Sequence, residues 1–255
     1  MKPDARGLIV PLSLLALAEA GMRLSDVQSD ALARPTQVAA ALWQALVDGS
    51  IWLGSCQTLW AALSGLILGG GLGLLTGVWL GLSRPAAQAS ALSVELLRPV
   101  PSVALIPVSL LMFGFGSAME IAVVAFTCFW PMLILTQAAI RQVDPRLLEV
   151  ARVLGFSPLA RVGKIVLPAA LPRIFVAFRL SVGIALVVGV TVEIAANPQG
   201  LGYALMSAQQ SLRPDLMFAL VVWIGLLGWG VSAGLLGLQR RWFRHSLSGA
   251  PGDQP

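Results

Sequence analysis

Long apolar runs broken by short polar stretches set the rhythm of this chain. A helix needs ~20 mostly apolar residues to cross the hydrocarbon of a bilayer. Six stretches approach or exceed that length, at about 7–22, 51–82, 100–117, 119–140, 173–196 and 215–238. They predict an all-α, polytopic membrane protein with about six transmembrane helices, because a helix satisfies its own backbone in lipid. The connections are short, so residues 1–255 are expected to form a single transmembrane domain. Between the first two runs, Pro35 suits a first helical position, and Val38, Leu42, Trp43 and Leu46 recur at helical spacing. An outer helix on the membrane surface is predicted there, with Trp43 and Trp52 at the interface. Pro107 and Pro131 fall inside the third and fourth runs and should kink them. The fifth run ends near Glu193. A loop with a short helix follows, beginning Asn197-Pro198-Gln199-Gly200-Leu201-Gly202-Tyr203.

The second run carries a second pattern. Gly65, Gly69, Gly73, Gly77 and Gly81 fall four residues apart and make one stripe on a helix. Such a ladder lets two backbones approach closely in lipid, so a tight helix contact is expected, within the chain or between subunits.

Between the fourth and fifth runs lies a charged island, residues 141–172, closed by Arg173. Asp144-Pro145 is a helix start, with Asp as cap and Pro at the first helical position. Leu147, Val150, Ala151 and Leu154 share one face, and Glu149 and Arg152 point away from it. Gly155 stands where a left-handed helix end favours glycine. Ser157-Pro158 repeats the start signal, Leu159, Val162 and Val166 form a further apolar face, and Pro168 and Pro172 are expected to close the segment. Two short amphipathic helices joined at Gly155 are too short to persist alone, so the island is built to dock something.

Composition narrows the class. The chain is 57% hydrophobic and 11% charged, about half the charged fraction of a soluble domain. Its net charge is +5. In a membrane protein this reads as Lys and Arg gathered in cytoplasmic loops rather than as a nucleic-acid surface. Placing both termini in the cytoplasm puts every Lys and Arg inside except Arg23, Arg34 and Arg213. Lys2 and Arg6 before the first run, and Ala18-Glu19-Ala20 within it, resemble a cleavable leader; a retained helix is the expectation. Cys56 and Cys128 have no metal-ligand neighbours and read as small buried hydrophobes. The lone His245 lies in the basic tail. No metal site is expected.

Few polar residues lie deep in the runs: Gln57, Thr58, Ser109, Thr127, Gln137, Ser181, Thr191 and Glu193. Ser109, Thr127, Gln137, Thr191 and Glu193 are the candidates for a substrate path, since an ionisable or polar residue in a span is a functional candidate. Glu193, near the outer end of its run, reads equally as an interfacial carboxylate reaching water. Arg179 should snorkel to the inner face. A secondary transporter or channel would need buried Asp, Glu or His relays, which are nearly absent. A membrane enzyme would need a catalytic cluster, and none is visible. The chain has no phosphate-binding loop.

The island also carries a resemblance. Glu149-Val150-Ala151, Gly155 and Ile165-Val166-Leu167-Pro168 resemble the EAA loop of ABC-transporter permeases, with matching spacing and Val150 in place of the second alanine. Arg98-Pro99-Val100-Pro101-Ser102, Phe113-Gly114-Phe115-Gly116 and Gly200-Leu201-Gly202-Tyr203 are similar to the nitrate/sulfonate/taurine branch of that family, and the likeness covers about residues 50–245. The resemblance implies a type I importer permease fold in the bacterial inner membrane. It implies a dimer with a second copy or a second permease, two ATPase subunits carrying ATP and Mg²⁺, and an extracytoplasmic solute-binding protein. Glu149, Val150, Ala151, Gly155, Ile165, Leu167 and Pro168 would then couple the ATPase to the membrane helices. This chain would bind no cofactor and catalyse no reaction, and the solute would be a small anion.

Overall fold

The computed structural model describes residues 9–24 and 32–242, all helical or connecting, with no strand among the described residues. In chain order the elements are α1 (Ile9–Leu24), α2 (Pro35–Val47), α3 (Ser50–Gly65), a wide π turn (Leu66–Gly70) and α4 (Gly71–Leu82). Then come α5 (Arg84–Leu97), a 3-10 turn (Ser102–Leu105), α6 (Ile106–Phe113), α7 (Ser117–Arg141) and α8 (Pro145–Val153). The chain ends with α9 (Pro158–Arg161), a second π turn (Val162–Val166), α10 (Leu167–Ala195), α11 (Gly200–Gln210) and α12 (Pro214–Trp242). Helices α3 and α4 run on as one rod of 33 residues, and α9 and α10 as one rod of 38.

The glycine stripe sets the central contact. A Cβ built on Gly65 would lie 2.6 Å from Val124 Cβ, and one on Gly81 would lie 2.7 Å from Ile140 Cβ. Between them, Cβ atoms on Gly69, Gly73 and Gly77 would run into the α7 backbone at Ala125, Phe129 and Leu133. The stripe therefore packs within the chain, and only hydrogen at these five positions lets the two helix backbones meet. The opposite side of the rod carries the exposed Trp60, Ile67, Leu75 and Trp79, an apolar face suited to lipid.

The pairings run upward in both helices, from Gly65 with Val124 to Gly81 with Ile140, so α4 and α7 are parallel. The chain leaves α4 at one end and must begin α7 at the other. The bent pair α5 and α6, folded by 81°, makes that return. Among the described residues four helices are long and apolar enough to cross a membrane, or five with the bent return counted as one span, against the six expected. The predicted third span, 100–117, is a short 3-10 turn and an eight-residue helix. Pro99 and Pro101 bar a straight helix from α5, and Gly114 (φ +72°) and Gly116 (φ +124°) end α6. Pro107 stands in the first turn of α6, where its missing N–H costs nothing, and so produces no kink. The first predicted span becomes α1, sixteen residues and so about 24 Å, short of a ~30 Å hydrocarbon core. Lys2, Arg6 and the tail from 243, with Arg244 and His245, lie outside the described residues.

Helix α10 lies antiparallel to α7. Ala170 and Ile174 pack on Ala139 and Ile140, Val182 and Ala185 on Val124 and Cys128, and Val192 on Met119 and Val123. Helix α12 covers this layer through Leu227, Val231 and Leu235. Cys128 is buried there, whereas Cys56 is exposed on the outer face of α3, contrary to the expectation of two buried thiols. The molecule thus has a loop end, where α4 and α7 finish and α8 and α9 sit, and an α11 end, where α7 begins and α10 finishes. At the α11 end, α1 caps α2: Glu19 accepts the Thr36 N–H at 3.1 Å and the Thr36 hydroxyl at 2.9 Å.

Candidate functional site

At the loop end, Asp144 Oδ1 accepts the Arg146 N–H at 2.9 Å and starts α8. The helix stops in a left-handed turn at Gly155 (φ +70°), with Phe156 N–H returning to Ala151 C=O and Gly155 N–H to Arg152 C=O, both at 3.0 Å. Only glycine adopts this conformation at no steric cost. Ser157 Oγ then accepts the Ala160 N–H at 3.3 Å and starts α9. Arg161 Nε bonds Phe156 C=O at 3.1 Å, and Lys164 Nζ lies 5.5 Å from the Phe156 ring centroid. These contacts hold α8 at a fixed angle to the rod.

One expectation for this region is corrected. The second short helix does not end at Pro168 or Pro172 but is the first turn of the 38-residue rod, Pro158–Ala195. The π turn Val162–Val166 widens the helix just before Pro168, where a pyrrolidine ring would otherwise meet the preceding carbonyls. Pro172 lies inside α10.

Helix α8 has two faces. Ala151 is fully buried, and Leu148 packs on the cluster of Ile140, Val143 and Val166. Leu147, Val150 and Leu154 are exposed on the far side, and Val153 and Leu159 are 88% and 86% exposed. Val150, the departure from the family pattern, therefore points its extra methyl groups away from the bundle; only Ala151 needs to be small. Glu149 and Gly155 are exposed beside this apolar face, Ile165 and Leu167 are half-buried in the rod, and Pro168 is exposed.

At the α11 end the structure gathers a buried polar cluster. Thr58 Oγ1 donates to Glu193 Oε1 at 2.7 Å, and Gly202 N–H donates to Glu193 Oε2 at 2.7 Å. Leu201 N–H donates to Thr58 Oγ1 at 3.0 Å, and Gly200 N–H to Gln57 Oε1 at 3.0 Å. The first three N–H groups of α11 thus point at side chains of α3 and α10, the usual polarity of a helix N-terminus towards an acid. Gly200 has φ +86°, and a Cβ on it would overlap the Glu193 carboxyl. Beside this, Asn197 Nδ2 donates to Glu120 Oε2 at 2.7 Å, while Glu120 Oε1 and Asn197 Oδ1 are buried without partners. Glu193 is 2% exposed, so its reading as an interfacial carboxylate reaching water is overturned. Glu120 was absent from the expected polar set. The signal was present, as a lone acid in the first turn of an apolar 25-residue helix.

A third feature opens beside the bent return. A cleft of about 340 Å³ is lined by Arg98, Ser102, Thr127, Trp130 and Pro131 with aliphatic neighbours from α7 and α10. Trp130 Nε1 is buried without an acceptor, and Thr127 donates to Val123 C=O at 2.8 Å. Arg98 is the one cation of the cleft and no acid lines it, a set suited to an oxyanion. Among the other path candidates, Ser109 is buried on α6, Gln137 half-buried on α7, and Thr191 donates to Val187 C=O of its own helix. Thr127 and Glu193 are thus the two path candidates that belong to one of these groupings. Among the described residues, no three His, Cys, Asp or Glu side chains converge as metal ligands.

Comparison with known proteins gives this geometry its context. The profile of the family described as binding-protein-dependent transport system inner membrane component matches residues 69–244. A Bacillus subtilis protein assigned as an aliphatic sulfonates transport permease is 33% identical over 88% of this chain and 81% of its own length. Its Escherichia coli counterpart is 32% identical over 92% and 89%. The riboflavin transport system permease protein of Chloroflexus aurantiacus is 34% identical over 91% and 88%. Among solved structures, an inward-facing MetNI methionine ABC transporter superposes with a TM-score of 0.56 at 20% identity, covering 80% of this chain and 99% of the other. An amino acid ABC transporter crystallised with histidines gives 0.60 at 18%, covering 80% and 97%.

Proposed function

We propose that this chain, which belongs to the binding-protein-dependent transport system inner membrane component family, lines the pathway of an ATP-driven importer for a small anion of the sulfonate, taurine or nitrate kind. Relatives bearing sulfonate, taurine and nitrate permease names support the solute class. So does the cleft lined by Arg98, Ser102 and Thr127 with no acid.

One observation carries the mechanism: a single rod, Pro158–Ala195, joins the loop to the buried cluster. Its 38 residues make it about 57 Å long. An ATPase gripping the exposed face of α8 would push on this rod through the fixed turn at Gly155. The other end of the rod holds α11 through Glu193, so closure of the ATPase and movement of the α11 end become one event. Coupling of this kind needs two discrete packings of the bundle. The rigid Gly155 turn and the buried hydrogen bonds at Glu193 supply stiff connections between them.

The loop end carries Arg84, Arg141, Arg146, Arg152, Arg161, Lys164, Arg173, Arg240 and Arg241, and the α11 end carries Arg23, Arg34 and Arg213. The excess of positive charge argues for the loop end, where α12 finishes, lying in the cytoplasm of a bacterial inner membrane. ATP and Mg²⁺ belong to two partner ATPase subunits. A second copy or a second permease completes the pathway, and an extracytoplasmic binding protein delivers solute to the α11 end.

Solute uptake in cells carrying Glu149→Arg or Gly155→Val tests the coupling role. Both variants should insert at normal levels and lose uptake together with copurification of a nucleotide-hydrolysing subunit. Normal uptake by both would overturn it.

A further inference from the structure

A cavity lies on the other side of α8, away from the exposed face assigned to the ATPase. Its volume is about 810 Å³, and four guanidinium groups line it: Arg84, Arg141, Arg152 and Arg161. They come from four segments, the start of α5, the end of α7, α8 and α9. No acidic side chain lines the cavity. Arg141 bonds only Leu80 C=O, at 3.4 Å, and Arg161 only Phe156 C=O, at 3.1 Å. Among the described residues none of the four meets a carboxylate within ion-pair distance. Four like charges facing one space repel one another and favour an anion whose oxygens several of them can share.

The remaining lining says what kind of anion. Leu82 and Ile140 are the ends of two crossing helices, and Val162 and Val166 open the third. The arginines therefore sit near the rim of the hydrocarbon layer, with the exposed Leu82 beside them. On α8, Pro145, Leu148 and Arg152 face the cavity, and Leu147, Val150 and Leu154 lie roughly opposite at 100° per residue. The cavity thus lies on the side of α8 turned towards the ends of α4 and α7.

We propose that this cavity seats the phosphate head group of an anionic phospholipid from the leaflet at the loop end. A basic pocket between helix ends offers the phosphate diester charge-assisted hydrogen bonds, and the exposed Leu82 beside it offers the acyl chains an apolar contact. The bound lipid would brace α8 against α4 and α7 from beneath. This inference rests on the chain spanning a membrane, and on neither the solute nor the coupling role proposed above.

The test uses the full chain, with the subunits that accompany it, in nanodiscs of phosphatidylcholine containing one-tenth phosphatidylglycerol. Native mass spectrometry counts the phosphatidylglycerol retained. Wild type and the control R146Q/R240Q, which removes two loop-end charges outside the cavity, should retain it alike. R84Q/R152Q should bind it roughly thirtyfold more weakly, and R84K/R152K should recover most of the binding while all four proteins melt alike. Equal retention by wild type and R84Q/R152Q overturns the proposal, as does equal loss in the control. Displacement by millimolar inorganic phosphate with no preference for phosphatidylglycerol would mean a soluble anion site, and release of the lipid by an added ATPase subunit would mean a protein contact; either outcome also overturns it.

Discussion

Thr58 and Glu193 stand 135 residues apart in sequence and share a 2.7 Å hydrogen bond in the buried α11 end of the bundle. Thr58 has two tasks there. Its hydroxyl proton goes to Glu193, and its oxygen takes the Leu201 N–H. One side chain of α3 thereby joins α10 to the start of α11.

Thr58→Val keeps the shape of the side chain and leaves a carboxyl oxygen and a backbone N–H unpaired in the interior. A buried group stripped of its partner costs about 1–3 kcal/mol, so the variant should lose about 2 kcal/mol or more of stability. Thr58→Ser, which keeps the hydroxyl, should stay close to wild type. Unfolding titrations in mixed micelles read the difference. Equal stability of the Val and Ser variants would show that the hydroxyl holds nothing together.

The α4–α7 contact predicts a strongly position-dependent response to added carbon. Gly73→Leu would drive a side chain into the α7 backbone at Phe129. The helices would have to separate along their length, and no folded protein should accumulate in the membrane. Gly71→Ala, two residues away with nothing within 4 Å of the new methyl, should be neutral or slightly stabilising. Membrane-fraction yield and melting of the two variants check this contrast.

How far the sequence could be read follows from the range of the forces involved. The crossing helices, the glycine stripe and the caps of α8 are local or periodic, so composition and spacing reveal them. The buried cluster is not local: Glu120 finds Asn197 only after 77 residues, and nothing beside Glu120 in sequence distinguishes a paired acid from an interfacial one. The same holds for Gly200 and Gly202, which look like loop glycines until the Glu193 carboxyl fills the side-chain space of the first and the α10 backbone at Val190 that of the second. The rod Pro158–Ala195 defeats a local rule for the opposite reason. Two prolines signal an end, but a π turn and the packing of Val166, Ala170 and Ile174 carry the helix through them.

The exposed face of α8 predicts separable losses of association and stability. Val150→Asp places a charge at a position 55% exposed, where the bundle itself loses nothing. Melting should be unchanged, within ~0.5 kcal/mol, while the ATPase subunit should fail to copurify. Ala151→Leu, at a site with no exposure, should instead destabilise the chain by about 1–3 kcal/mol through overpacking. Pull-down yield and melting temperature, measured side by side, distinguish the two effects. If Val150→Asp retained the ATPase, this face would not be its seat.

The cleft beside the bent return predicts where solute selectivity resides. Trp130 packs edge-on against Phe126 and Phe129 at centroid distances of 5.7 and 4.9 Å, so Trp130→Phe keeps an aromatic ring in the stack while removing the Nε1 donor and part of the ring system. A donor used by a passing oxyanion contributes about 0.5–1.5 kcal/mol, and its loss should slow uptake about two- to tenfold with stability and ATPase association intact. Arg98→Gln removes the one cation of the cleft and should slow anion uptake further, on the order of 1.5–3 kcal/mol for a charge-assisted contact, whereas Arg98→Lys should restore part of it. The readout is the initial rate of radiolabelled anion uptake at saturating binding protein, with ATP hydrolysis followed in parallel. Hydrolysis should continue in the Arg98→Gln protein while transport per ATP falls, because the cleft would meet the solute and not the motor. If hydrolysis and uptake fell in strict proportion, Arg98 would instead belong to the moving frame of the bundle.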